Sequence, residues 1–151
     1  MAPKFHTLTV EEIIRETEDT VSIKFDVPSE LSAEFDYIAG QYLTLKKDMD
    51  GEDVRRSYSL CSAPYENEWR VAVKQVEGGK FSTYVNTVLK EGDQLEVMTP
   101  MGNFAVRPDS NSNKNYVLIA AGSGITPVLS ILKTVLKEEP ESNVTLSLIH
   151  I

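Results

Sequence analysis

The sequence predicts a mainly β fold that ends in an α/β unit. Three observations predict it. Apolar and polar residues alternate through short segments of the first two thirds, and turn residues punctuate those segments. Near residue 116 the pattern changes to an unalternating apolar run, a glycine-rich turn and an amphipathic helix.

The elements follow in order. TLTVEEIIRET (7–17) opens the β series. VSIKFDV (21–27) then alternates strictly, with Val21, Ile23, Phe25 and Val27 on one face and Ser22, Lys24 and Asp26 on the other. QYLTLKK (41–47), RRSYSL (55–60) and WRVAVKQV (69–76) extend the series. Turn signals stand at Pro28-Ser29, Asp50-Gly51, Pro64 and Gly78-Gly79. This spacing predicts an antiparallel barrel or sandwich. One helix interrupts it: in STYVNTVLKEG (82–92), Tyr84, Val85, Val88 and Leu89 share a stripe, with Ser82 as N-cap and Gly92 as the stop. DQLEVMTPMGNF (93–104) reads as a last strand and turn, which gives residues 1–107 as the first domain. RPDSNSNKN (107–115) is polar throughout, and 108–115 reads as a linker.

From residue 116 onward, YVLIAA (116–121) has the composition of a strand covered on both faces of a parallel sheet. GSGITP (122–127) follows. VLSILKTVLK (128–137) then places Val128, Leu129, Leu132, Val135 and Leu136 at helical spacing, with Thr126 as N-cap and Pro127 at N1. NVTLSLIHI (143–151) is a second strand. One βαβ unit cannot bury both faces of its sheet, and the sequence stops inside an apolar strand. The expectation for 116–151 is a truncated α/β domain, or one completed by a second copy in a dimer through the unfinished sheet.

Composition excludes several classes. The chain has 151 residues, 41% of them hydrophobic, and a net charge of −8 from 15 basic and 23 acidic residues. That balance argues against nucleic acid and against an anionic membrane surface. One cysteine, Cys61, rules out an internal disulfide and a cysteine-held cluster. His6 and His150 lie near opposite ends in no ligand spacing, so no metal is expected. No signal peptide or membrane-length apolar run is visible, and a cytoplasmic setting is the expectation.

Three stretches carry chemistry. In RRSYSLCS (55–62), alternation puts Arg56, Tyr58 and Leu60 on one face and Ser57, Ser59 and Cys61 on the other. A guanidinium beside an aromatic ring offers a fork of donors for phosphate and a flat face for stacking. Alone, the stretch reads equally as an exposed strand whose arginines meet nearby acids. In EGGKFST (77–83), two glycines precede a helix start, where free amides form an anion site or merely an ordinary turn. In IAAGSGITP (119–127), glycines between strand and helix let a nucleotide approach the backbone. The spacing is not G-x-G-x-x-G, because Pro127 occupies the third glycine position.

Taken together, these stretches resemble the ferredoxin–NADP reductase superfamily. Its R-x-Y-[ST] motif matches Arg56-Ser57-Tyr58-Ser59, and G-x-x-S matches Gly79-Lys80-Phe81-Ser82. AGQYLTL matches P-G-Q-[FY], with Ala39 in place of proline, and TPMGNF and GSGITP match the barrel end and the first turn of the nicotinamide domain. Within the superfamily the chain is similar to reductases of bacterial oxygenase systems. The resemblance implies a six-stranded antiparallel FAD-binding barrel followed by the first βαβ unit of a nicotinamide-binding domain. It implies FAD as cofactor and NAD(P)H as electron donor, with a redox protein acceptor, ferredoxin-type or an oxygenase component. Arg56 would meet the flavin pyrophosphate, Tyr58 the isoalloxazine ring and Ser59 its reactive nitrogen. Lys80, Phe81 and Ser82 would offer amides and a hydroxyl to the pyrophosphate. Val73, Lys74 and Gln75 would flank the ribityl and adenosine portions. Thr126 would lie where nicotinamide arrives, with Gly122, Gly124 and Pro127 shaping the turn. No catalytic acid or base is expected. The alternative is a non-catalytic flavin-binding electron-transfer or regulatory subunit.

Overall fold

A computed structural model of the chain describes residues 4–149. Among these, the elements run β1 (Phe5–Thr17), β2 (Thr20–Asp26), β3 (Tyr42–Met49), β4 (Glu52–Ser59), β5 (Trp69–Lys74), α1 (Lys80–Thr87), β6 (Gln94–Met98), β7 (Asn115–Ala121), α2 (Ile125–Glu138) and β8 (Asn143–Ile149). His150 and Ile151, expected to continue the last strand, lie outside the described residues. So do Met1–Pro3, which head the segment in which no signal peptide is read.

Strands β1–β6 form one antiparallel sheet in the order β4-β3-β6-β1-β2-β5. The alternating faces read in the sequence make its core: Val21, Ile23 and Phe25 of β2 bury with Leu8, Val10, Leu43, Leu45, Val71, Val73, Leu95 and Val97. Register shifts after Val10 and Arg15 bend the long β1, as an extra residue in one strand increases its coiling. The expected barrel closes at one point alone. The edge strands meet at a Leu60–Val71 bridge, where the Cys61 N–H donates to the Arg70 carbonyl at 2.9 Å. Beyond it β4 and β5 separate. Phe81 of α1 fills the inner side of the gap, stacked on Tyr58 at 6.2 Å and 26°.

Both helices begin earlier than the capping signals suggest. α1 starts at Lys80 with Gly79 as N-cap. Ser82 lies inside the first turn, where its hydroxyl accepts the Val76 N–H at 3.1 Å. The buried stripe therefore holds Phe81, Val85 and Leu89, whereas Val88 is exposed. α2 starts at Ile125 after a 3-10 turn, with Gly124 as N-cap. Thr126 is helical and its hydroxyl donates back to the Ser123 carbonyl at 2.9 Å.

β7 and β8 pair in parallel, and α2 covers one face of the pair through Ile131 and Val135. YVLIAA is covered on one face, with Val117 and Ile119 67% and 62% exposed on the other, as the sequence reading expects of a βαβ unit standing alone. A single helix has only one face of a two-stranded sheet within reach. α2 also packs on Ala39 of the barrel. Beside it Gly40 adopts φ +102°, and a Cβ there would sit 2.1 Å from the Phe104 carbonyl oxygen. The glycine is what lets the segment after β6 cross so close to the entry of β3.

The polar segment before β7 is fastened rather than loose. Glu139, 1% exposed, accepts the Asp109 N–H (3.0 Å), the Tyr116 hydroxyl (3.1 Å) and the Ser142 hydroxyl (2.7 Å). Burial opposes its charge, but these donors hold the carboxyl below its ordinary value of 4.5. Its folded pKa is thus depressed, so its contribution to stability is complete above pH 4.5 and is lost as pH falls through the lowered value. Glu139→Gln should cost about 1–3 kcal/mol at neutral pH, since donors are left facing an amide. It should also flatten the acid limb of stability below pH 4.5, read by urea unfolding as pH is lowered. Parallel acid limbs in both proteins would remove Glu139 from the account.

Candidate functional site

The separation of β4 and β5 opens two adjoining clefts. One, of about 340 Å³, is lined by Arg56, Ser57, Tyr58, Lys74, Val76, Gly79, Phe81 and Ser82. The other, of about 570 Å³, is lined by Ser57, Tyr58, Ser59, Ala72, Lys74, Gln75, Val76, Ser123 and Thr126. Four residues belong to both, so they form one trough running from the N-terminus of α1 to the N-terminus of α2.

Strand alternation decides what the backbone presents there. The Leu60 N–H turns to the Gln41 carbonyl and the Cys61 N–H to Arg70. With a period of two, the backbone of Ser57 and Ser59 therefore faces β5, and that of Ala72 and Lys74 faces β4, with no ladder between them past the Leu60–Val71 bridge. Edge groups of this kind require water or a ligand. The first amides of α1 add to them, because an α-helix has no internal acceptor for its leading N–H groups.

The Gly78-Gly79 turn builds the narrower end. Gly78 has φ +71°, and a Cβ on Gly79 would lie 2.6 Å from Ser82 Oγ and 3.0 Å from the Val76 carbonyl oxygen. Ser82 thereby holds the turn against the helix, so its hydroxyl is already engaged rather than free for a ligand. The charged side chains lining the trough are both cationic, Arg56 and Lys74, in a chain of net charge −8. Arg56 is exposed and donates to the Arg55 carbonyl at 2.6 Å. Lys80 pairs with Glu52 outside the clefts. Burial raises the Tyr58 phenol above its ordinary value, against the pull of Arg56, so the ring presents a neutral face.

Of the residues singled out in the sequence, the trough gathers Arg56, Ser57, Tyr58, Ser59, Lys74, Gln75, Gly79, Phe81, Ser82 and Thr126. Val73 is buried in the core, with its carbonyl accepting the Asn86 amide at 3.0 Å. Gly122, Gly124 and Pro127 shape the turn beneath α2 without lining the clefts. Gly122 has φ +55°, and a Cβ at Gly124 would meet nothing. Sequence reasoning missed Ala72, Val76 and Ser123. The first two sit on a strand read as ordinary core and turn, and Ser123 lay between two glycines that drew the attention.

Residues 7–106 match the model of the oxidoreductase FAD-binding domain, and residues 118–150 that of the oxidoreductase NAD-binding domain. The chain belongs to the oxidoreductase FAD-binding domain family. It is 48% identical over 142 residues, 94% of its length, to a subunit of the 1,2-phenylacetyl-CoA epoxidase of Escherichia coli K12, and spans 40% of that protein. It is 41% identical over 133 residues to the ferredoxin reductase component of 3-ketosteroid-9-alpha-monooxygenase from Rhodococcus rhodochrous, covering 87% of this chain and 37% of that one. The flavohem-like FAD/NAD binding domain of nitric oxide dioxygenase from Vibrio cholerae superposes with a TM-score of 0.79 at 32% identity, over 95% of this chain and 62% of that one. The fold is thus that of ferredoxin reductase-like flavoproteins, and the trough is where residues 56–59, 79–82 and the turn before α2 come together.

The glycines separate fold from site. Gly79→Ala should lower stability by about 1–3 kcal/mol, because a backbone carbonyl and a buried hydroxyl cannot both give way. Gly124→Ala should change it by no more than about 0.5 kcal/mol. Thermal unfolding followed by circular dichroism compares them, and equal shifts would contradict the crowding at Gly79.

Proposed function

We propose that this chain is the flavin-holding part of an NAD(P)H-dependent oxidoreductase that passes electrons from FAD to a redox protein, ferredoxin-type or an oxygenase component. The observation that carries the reading is the trough itself, cationic and amide-rich in an acidic chain, with an aromatic ring at its centre. Such a lining suits an extended dianionic ligand with a flat heterocycle at one end. The names of the epoxidase protein and the ferredoxin reductase component support the acceptor class.

In this reading residues 1–107 form the FAD-binding domain, 108–115 the connection, and 116–151 the opening of the nicotinamide-binding domain. A cytoplasmic setting accords with a lone thiol, Cys61. Bound flavin would supply the chemistry, that of accepting a hydride and releasing single electrons. The chain's residues bind and orient. Arg56 and the amides of Lys80, Phe81 and Ser82 hold the pyrophosphate charge at the narrow end. Tyr58, backed by Phe81, gives the ring a rigid wall. Ser59 and Ser57, with Lys74 and Gln75 at the end of β5, meet the polar rim of the ring and the ribityl chain, and Val73 supports that edge from the core. Thr126, on a turn shaped by Gly122, Gly124 and Pro127, lines the opposite wall, where the nicotinamide enters. No side chain is asked to move a proton.

FAD added to the purified chain should produce a bound flavin spectrum, and Arg56→Ala should weaken the dissociation constant about tenfold or more by removing a charge-assisted contact. Titration by fluorescence checks both. An unchanged constant would take the pyrophosphate away from Arg56, and no binding by the wild type would sink the reading. NADH that leaves the flavin of the full-length protein unbleached would favour an electron-transfer or regulatory subunit instead.

A further inference from the structure

The trough has two walls, one from the barrel and one from the start of α2, and a buried link ties them together just behind the mouth. Ser130 Oγ donates to the Ser62 carbonyl at 2.6 Å. Both residues are sealed from solvent, at 0% and 1% exposure. Ser130 lies one helical turn after Thr126, and Ser62 lies three residues after Ser59, so the bond joins the two cleft-lining residues by very short segments. One turn further along α2, Lys133 binds both Glu66 oxygens at 3.0 and 3.1 Å. Glu66 in turn accepts the Ala63 N–H at 2.7 Å.

The barrel side of this link is itself rigid. Ser62 Oγ accepts the Arg70 N–H at 3.1 Å and donates to the Glu68 carbonyl at 2.8 Å. The Tyr37 hydroxyl lies 3.0 Å from it. Ser62 is thus fixed to β5 through its side chain and to α2 through its carbonyl. Within α2 the hydroxyl that bonds back is that of Thr134, which donates to the Ser130 carbonyl at 2.8 Å. The Ser130 hydroxyl reaches across to the other domain.

We infer that Ser130 is a positioning residue, which sets the separation of Thr126 and Ser123 from Tyr58 and Ser59 and thereby the width of the ring end of the trough. The assignment to a flavin ring rests on the function proposed above, whereas the coupling of α2 to the trough does not. Without the hydroxyl, the Ser62 carbonyl is left buried and unpaired, and a buried acceptor without a partner favours opening toward water. The opening would be local, because the cores of the barrel and of the βαβ unit keep their apolar contacts.

The test measures amide hydrogen exchange in the ligand-free chain. Ser130→Ala should speed exchange at 129–131, the amides that bond back to the carbonyls of 125–127, by about 3–10-fold, leave β1 and β2 unchanged, and return to the wild-type rate in Ser130→Thr. In the FAD-loaded chain, iodide should quench flavin fluorescence more strongly in Ser130→Ala at equal occupancy, since the narrow end retains its contacts. Wild-type exchange at 129–131 in folded Ser130→Ala overturns the inference, and so does failure of Ser130→Thr to restore it. Should Ser130→Ala not fold, Ser130→Cys, whose thiol is a weaker donor to the Ser62 carbonyl, should speed the same amides by about twofold, and no change there overturns it. If wild type takes up no FAD, the flavin reading falls and the exchange result still decides the positioning.

Discussion

A six-stranded antiparallel sheet that curls on itself must either complete its ring of hydrogen bonds or leave two edges facing one another. Here the two edges touch at Leu60 and Val71 and then part. The contact point holds the barrel shut over its core. The parting creates the trough, with Ser57 and Ser59 on one side and Ala72 and Lys74 on the other. Phe81 makes the arrangement sustainable, since it seals the core where strand pairing would have done so and braces Tyr58 from behind. Much of what surrounds the gap can be understood from that geometry: the glycine pair that lets α1 start under Val76, the cationic lining, and the position of α2 across the opening.

The segment from Leu60 to Trp69 works as the pivot between the two halves of the molecule. It leaves the end of β4, sets Ser62 and Ala63 under α2, makes a short 3-10 turn at Pro64–Glu66 and enters β5. The junction with α2 is small: Ala39 against Ile131 and Val135, the Ser130–Ser62 bond and the Lys133–Glu66 pair. Small side chains suit such a place because they bring backbones close enough for a carbonyl to be reached directly. Ala39, which stands where related sequences are expected to carry proline, is buried at that contact.

The strands were legible because burial on one face enforces a period of two, and the core residues of β2, β3 and β5 follow it closely. The candidate-site segments were legible through the family resemblance, because Arg56, Tyr58 and Gly79 each read alone as part of an exposed strand or an ordinary turn. What escaped was set by competing local turns and by contacts distant in sequence. Ser82 and Thr126 have the composition of helix caps, yet glycines cap both helices, and each hydroxyl is drawn into a local turn instead. Val117 and Ile119 look like core by composition, but only the placement of α2 decides which face of β7 is covered. The incomplete closure could not be read from any strand alone, since it depends on how β4 and β5 diverge around Phe81. Glu139 is the clearest case. A glutamate near a helix end reads as solvated, and three donors from separate segments make it the fastening of the polar connection.

That fastening bears on how the chain can be recombined. A polar stretch between two recognisable units invites treatment as a hinge at which parts from relatives can be exchanged. The Asp109 and Tyr116 contacts to Glu139 tie it to the end of α2, and Ser62 and Ala63 are buried against the βαβ unit's side of the barrel. A chimaera joined at residues 107–115 would inherit a helix without its matching 61–68 loop. The exchangeable module is therefore discontinuous: α2 travels with the barrel loop it grips, and a crossover that respects this pairing must carry both.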